Sequence, residues 1–467
     1  MINLNYIRKF IYDVKDITNE IRGELYLVGG YIRNKLMNIA SQPKDADFVF
    51  KGDIRELMIK LQDKNYKFFP IKESISIYRC VKGKSKIDVS LMKGNSIEED
   101  LENRDFTINA LALRLSDNKI IDLFYGKKAI QNRILKNVTD RSLEEDPCRI
   151  LRGIRFCISL GMHFNLETEN NIIKFKDKIM DLPKERVFNE LMLIIESDKY
   201  GRAFEILDNY GILKNIIPYI EESKTIGKCK YHVEDVFTHL NLTYGIFKDI
   251  LNGSINLKNL DISILDTKMG EFTLKEYAAL ACFLHYIGKY EVYKKVGDKV
   301  SFHKHEIKGA AICRDFCNDM KLSKKAVKYI ENIVEGHMYP LSIFTNKTVD
   351  RKKAFYKFFS KYEGYVLEII ITAFCDNCAT KMLLEIKDKN LGFKEFIEDM
   401  LKEYKLYCSI RDNKILSGEE VVEVLVKSGP QVKTAIENIH RLRYLGEIVT
   451  RKDALDYLKL QTVKTYS

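Results

Sequence analysis

Apolar and polar positions in the first 130 residues follow short, changing periods. The run ELYLV (24–28) reads as a strand; Gly29 and Gly30 break it, and YIRNKLMNI then has helical spacing. ADFVF (46–50) and KIDVSLM (86–92) read as strands. In the second, Ile87, Val89 and Leu91 alternate with Lys86, Asp88 and Ser90. FTINALALRL (106–115) and KIIDLF (119–124) fit either two further strands or a helix followed by a strand. From about Leu143 helical periodicity dominates almost to the end. The expected fold class is α+β: a small mixed head followed by a long all-helical body.

Composition narrows this picture. A chain of 467 residues, 46% apolar and 31% charged, has room for two to four globular domains. No stretch approaches the roughly 20 apolar residues of a membrane span. The opening MINLNYIRKFIYDVKD lacks a signal-peptide core, so a cytoplasmic protein without membrane contact is expected. Seven prolines and no repeats or low-complexity tracts suggest closely packed domains. The 10 cysteines are scattered, and neither Cys313 with Cys317 nor Cys375 with Cys378 has a second ligand pair at zinc spacing; reduced thiols are expected. A formal charge of +11 suggests an anionic partner. In Asp350 to Tyr365, bases and aromatics interleave as in an amphipathic helix with buried rings and outward ammonium groups, a face able to meet phosphates.

KDADFVF (44–50) places Asp45 and Asp47 on one face of a strand. Carboxylates that close repel unless a cation lies between them, so the pair is either a solvated turn or half of a metal site. Gly29 and Gly30 before a helix suit close approach of a phosphate to free N–H groups. Asp88 shares the polar face of its strand. A phosphate cradle followed by carboxylates on adjacent strands is what two-metal phosphoryl transfer requires.

The ordered set GG, DxD, RDFTINALA (104–112), IDLFYGKKAI, EEDPCRILRGIRF and PKERVFNEL resembles bacterial class II tRNA nucleotidyltransferases and poly(A) polymerases, from about Glu24 to Leu191 and more loosely beyond. The resemblance implies a polymerase-β-like head at 1–135, a nucleotide-selecting neck at 136–225, an HD-like domain at 226–400 and a tRNA-binding tail at 401–467. It implies a two-metal enzyme using Mg2+, with tRNA, CTP and ATP as partners. Asp45 and Asp47 then look like metal ligands, with Asp88 as a third catalytic carboxylate. Gly29, Gly30 and Arg33 look like the triphosphate turn, with Asn34 where the family has an acid. Arg104 and Asp105 look like the ribose-sensing motif, preceded by Asn103 in place of a second arginine. Asn109, Asp146, Arg149, Arg152 and Arg155 complete the implied nucleotide-binding set.

On a helix, Asp146, Arg149 and Arg152 fall on one face, with Ile150, Leu151 and Ile154 opposite. Asp146 would accept from an exocyclic amine of cytosine or adenine while Arg149 donates to a ring nitrogen. The plainer reading makes Asp146 a helix cap and Arg149 a bridge to Glu145. Glu185 and Arg186 are expected to be structural. His239, His285, His305 and His337 resemble an HD phosphohydrolase set, but Tyr286 stands where that family has Asp, so a scaffold of packed histidines is expected. The turn Ser428-Gly429-Pro430 is a candidate phosphate contact. The short SLMKGNSIEEDLEN (90–103) lacks the flexible loop many CCA-adding relatives carry, which leaves CCA and CC addition equally open, ahead of poly(A) synthesis. An HD-type phosphohydrolase and an RNA-binding protein with an inactive head are the rival readings.

Overall fold

The computed structural model describes residues 5–40, 46–72, 77–83, 85–226, 235–297, 299–383, 390–425 and 429–466; Asp45 and Ser428 lie outside them. The chain forms two compact units, 1–197 with 206–215, and 198–205 with 216–467.

The first unit opens with helix α1 (Asn5–Glu20), strand β1 (Glu24–Val28), α2 (Gly30–Leu36), β2 (Asp47–Lys51) and α3 (Ile54–Asp63). A hairpin of β3 (Lys67–Lys72) and β4 (Ile77–Lys82) leads to β5 (Ser85–Leu91) and α4 (Ile97–Glu102), then β6 (Ala112–Arg114) and β7 (Ile120–Ile121). The sheet order is β3-β4-β5-β2-β1-β6-β7, with β2 and β5 parallel and every other neighbouring pair antiparallel. The strands expected at 24–28, 46–50 and 86–92 are present, whereas the β3–β4 hairpin has no clear period. Its outer strand carries Pro70, tolerated because an edge strand need not donate on both sides. The ambiguous 106–115 run divides into a 3₁₀ turn at Thr107–Asn109 and the short β6.

One sheet face buries Phe48, whose ring meets Phe10 of α1 edge-on at 5.0 Å. The other face packs Tyr26, Val28 and Val49 against Ile97 and Leu101 of α4. Asp47 shares the period of Val49, and β2's aromatic residues Phe48 and Phe50 flank Val49 on the alternate period. Helices α5 (Gly126–Gln131), α6 (Ser142–Glu145), α7 (Cys148–Leu160), α8 (Leu166–Phe175) and α9 (Lys184–Ser197) follow. Ile150, Leu151 and Ile154 of α7 are fully buried, as its spacing required.

Among the described residues, the second unit is helical apart from two short two-stranded ladders, Lys268–Met269 with Phe272–Thr273 and Lys294–Val296 with Lys299–Ser301. Helix Arg351–Lys361 buries Phe355, Phe358 and Phe359 and exposes Lys353, Lys357 and Lys361. A small terminal core gathers Val421, Leu425, Ile439, Leu442 and Leu458. Cys313, Cys317, Cys375 and Cys378 are free thiols. No helix among the described residues is long and apolar enough to cross a membrane.

Phe48 is the central aromatic of the sheet's α1 face. Phe48→Ala is expected to destabilise the first unit by about 3–5 kcal/mol, read as a lowered denaturation midpoint at unchanged slope.

Candidate nucleotide site

Strand pairing places Asp47 in register with Asp88 across the parallel β2–β5 ladder, and opposite Val28, the residue before Gly29. Two carboxylates and the glycine turn thus lie side by side across three adjacent strands. Asp47 is exposed. Asp88 holds Arg79 of β4 through both oxygens, at 2.7 and 2.8 Å, so its charge is already partly balanced. An all-oxygen carboxylate set is the donor chemistry of a hard divalent cation, and Asp47 and Asp88 fit it.

Gly29 has φ +69°, and the Nη1 of Arg104 lies 3.1 Å from where a Cβ would sit. A side chain there would meet both a disfavoured backbone region and a guanidinium. Arg104 is held there by Asp100, four residues earlier on α4, at 3.0 Å. The Gly29 N–H bonds Leu111 C=O at 3.1 Å, which fixes the turn to the strand leading into β6.

Buried Asp105 organises the other groups. Its Oδ1 accepts from Phe106 N–H at 2.7 Å and from Asn109 Nδ2 at 3.0 Å, and its Oδ2 lies 2.8 Å from Arg152. Burial alone would push this carboxyl up; Arg152, Asn109, the Phe106 N–H and Arg149 outweigh it and hold the group below the usual carboxylate range. Asn109 passes the arrangement on, accepting from Arg33 Nη1 at 2.6 Å. Arg33 also donates to Asn34 Oδ1 at 3.0 and 2.8 Å. Asn34, where the family has an acid, therefore still acts as an acceptor but brings no charge. The Arg33 pKa falls to about 10, because burial and the nearby Arg155 and Arg152 outweigh the pull of Asp105. It remains a cation at neutral pH, with amide oxygens as partners. The Phe156 ring has Arg33 at 5.0 Å and Arg155 at 5.3 Å. Arg155 reaches Glu190 of α9 at 3.2 Å, and burial raises the pKa of that carboxyl despite Arg155 and Arg152. Arg33, Arg152 and Arg155 thus share two buried carboxylates, a surplus of positive charge suited to a polyanion.

Asp146 and Arg149 do not face one another as a donor–acceptor pair. Arg149 donates to Asn103 C=O at 2.6 Å and to Ser142 C=O and Oγ at 3.1 and 2.8 Å, tying α7 to the segment before Arg104. Asp146 accepts from Cys148 N–H at 3.2 Å, a capping bond, and from Arg186 of α9. Sequence reading missed Asp100, Arg79, Ser142 and Glu190. Asp100 had a signal in its (i, i+4) spacing to Arg104; the others are joined only by tertiary packing.

In the second unit, His239 Nε2 lies 3.0 Å and His285 Nε2 3.6 Å from Asp376 Oδ1, all buried, a group able to hold a metal ion. Asp376 lies in FCDNC, a stretch read from sequence only for its cysteine spacing. Tyr286 stacks on His239 at 4.7 Å and also packs against His285, His305 and His337, while Lys289 Nζ sits 3.2 Å from its ring centre. The phenol thus fills the position next to His285 with a neutral ring and a cation. His305 and His337 meet at 3.2 Å between Nε2 atoms.

Two outcomes follow. Arg33→Met should weaken binding of inorganic triphosphate by about tenfold or more, since one guanidinium of the positive surplus is lost, with the circular dichroism of the fold retained. Burial lowers the pKa of His305 to about 2 and of His337 to about 3, from an ordinary 6.5. The unfolded chain therefore takes up protons below 6.5 that the folded chain refuses. Melting temperature should fall as pH drops from 6.5 towards 3, each group contributing up to about 1.4 kcal/mol per pH unit.

Residues 25–136 match the family described as the poly A polymerase head domain, 161–224 a probable RNA- and SrmB-binding site of polymerase A, and 261–381 the HD domain. The A-adding tRNA nucleotidyltransferase of Deinococcus radiodurans is 25% identical over 93% of this chain and 94% of its own. The CC-adding tRNA nucleotidyltransferase of Thermus thermophilus is 23% identical over 93% of each chain. The Thermotoga maritima CCA-adding enzyme in complex with tRNA shares the fold, at TM-score 0.64 and 19% identity, over 98% of this chain and 95% of its own. Residues 25–136 thus carry a poly A polymerase head domain, and over nearly its whole length the chain is similar to tRNA nucleotidyltransferases.

Proposed function

We propose that this protein adds nucleotides from CTP and ATP to the 3′ end of tRNA without a nucleic-acid template, making CCA or only CC. The observation that carries the reading is the half-buried Arg33 guanidinium, bonded to the amide oxygens of Asn34 and Asn109 beside Arg152 and Arg155, at the turn that leads from Val28 to the Asp47–Asp88 pair. The triphosphate lies against Gly29, Gly30, Arg33, Arg152 and Arg155. Arg104, held by Asp100, and Asp105 line the ribose side. Asp146 accepts from the amine of cytosine or adenine, and Arg149 fixes the Asn103–Arg104 backbone from below.

Asp47 and Asp88, with Asp45, hold Mg2+ in this reading. When bound, Mg2+ activates the terminal tRNA hydroxyl and neutralises the triphosphate. The hydroxyl gives up its proton to solvent as its oxygen forms a bond to the α-phosphorus, the bond to the bridging oxygen breaks, and pyrophosphate leaves with that electron pair. The chain's arginines balance the charge that develops on the leaving group. We assign the head to 1–135, nucleotide selection to 136–225, an HD-type scaffold to 226–400 and the tRNA grip to 401–467. The short 90–103 segment, which includes α4, leaves CCA and CC addition equally open.

Two assays test this. With Mg2+, CTP and ATP, transcripts lacking the CCA end should gain two or three residues, and Asp47→Ala should abolish addition; no incorporation by the unmodified protein would overturn the reading. A phosphate-ester hydrolysis assay with divalent metals should find no turnover by the second unit. Hydrolysis that survives Asp47→Ala would revive an HD-type phosphohydrolase.

A further inference from the structure

Arg186 starts the first turn of α9, forty residues from Asp146, and its sequence context marks it as structural. The geometry gives it a sharper role. One of its nitrogens, Nη2, lies 3.0 Å from both Oδ1 and Oδ2 of Asp146. Cys148 N–H adds a third donor, at 3.2 Å to Oδ1. An ionised carboxylate offers about four lone-pair sites, so these three contacts leave about one open. Arg149, the other guanidinium near this carboxylate in sequence, is committed to Asn103 C=O and Ser142.

We propose that Arg186 is the positioning residue that fixes the Asp146 carboxylate for base selection. The inference rests on Asp146 reading the base. With Arg186 and Cys148 holding it from α9 and α7, Asp146 presents one fixed acceptor. An amine N–H, as on cytosine or adenine, satisfies that acceptor. The carbonyl that uracil or guanine carries at the matching position meets a lone pair and is refused. Without Arg186 the carboxylate turns freely about its side-chain bonds, and the refusal weakens. Arg33, Arg152 and Arg155 keep their own partners, Asn109, Asp105 and Glu190, since Arg186 bonds Asp146 instead.

The test compares Arg186→Met and Arg186→Lys with the unmodified protein in single-nucleotide addition to tRNA, measuring kcat/KM for CTP, ATP, UTP and GTP. The CTP:UTP ratio is expected to fall about tenfold in Arg186→Met, the scale of one lost specificity contact. Arg186→Lys, which keeps the charge, should recover part of it. In an Asp146→Asn background, Arg186→Met should change the ratio no further. A parallel loss for all four nucleotides, with the ratio kept, is the signature of a merely structural residue and would overturn the proposal. An unmodified protein that takes UTP as readily as CTP would instead overturn the reading of Asp146 itself.

Discussion

The site depends on one buried carboxylate. Asp105 has almost no solvent contact, so its charge must be met inside the protein. Arg152 meets it from α7, Asn109 from the 3₁₀ turn and Phe106 from the backbone. Asn109 in turn orients Arg33 at the start of α2, which links the helix bearing the arginines to the glycine turn through a single acceptor. Removing Asp105 would leave Arg152 and Arg33 close together with no anion between them. The positive surplus that suits a triphosphate is therefore stable only because Asp105 anchors it.

Much of this was legible in the chain. Strand, glycine pair and helix appear in sequence as a change of period, and the spacing of Arg149, Arg152 and Arg155 places them along one helix, whereas Asp146, expected on the same helix, stands in extended backbone between α6 and α7. The juxtaposition of Asp47 with Asp88 was anticipated only as adjacency of strands. Its register depends on β5 returning parallel beside β2 after a hairpin whose own strands carry no clean alternation. Two site assignments changed in character once packing was known. Arg149, read as a base contact, ends on backbone carbonyls, because Asn103 and Ser142 bring their oxygens to it from other elements. Asp146, read beside Arg149, takes its guanidinium from Arg186. Contacts across forty residues leave no periodic trace.

The second unit shows a different relation of sequence to chemistry. His239, His285 and Asp376 retain a geometry a metal could use, yet Tyr286 and Lys289 occupy the space beside them with a cation–π contact. Burial keeps His305 and His337 neutral, the form that packs in a core and that can also ligate a metal. The tyrosine at position 286 was visible as a single letter; its contacts with the four histidines were not.

A crystal structure of the protein with CTP and Mg2+ tests the central claim most directly. The account predicts the triphosphate against the Gly29–Gly30 turn within hydrogen-bonding distance of Arg33, with the cation between Asp47 and the phosphates. Density for the triphosphate elsewhere, with Arg33 still bonded only to Asn34 and Asn109, would contradict it.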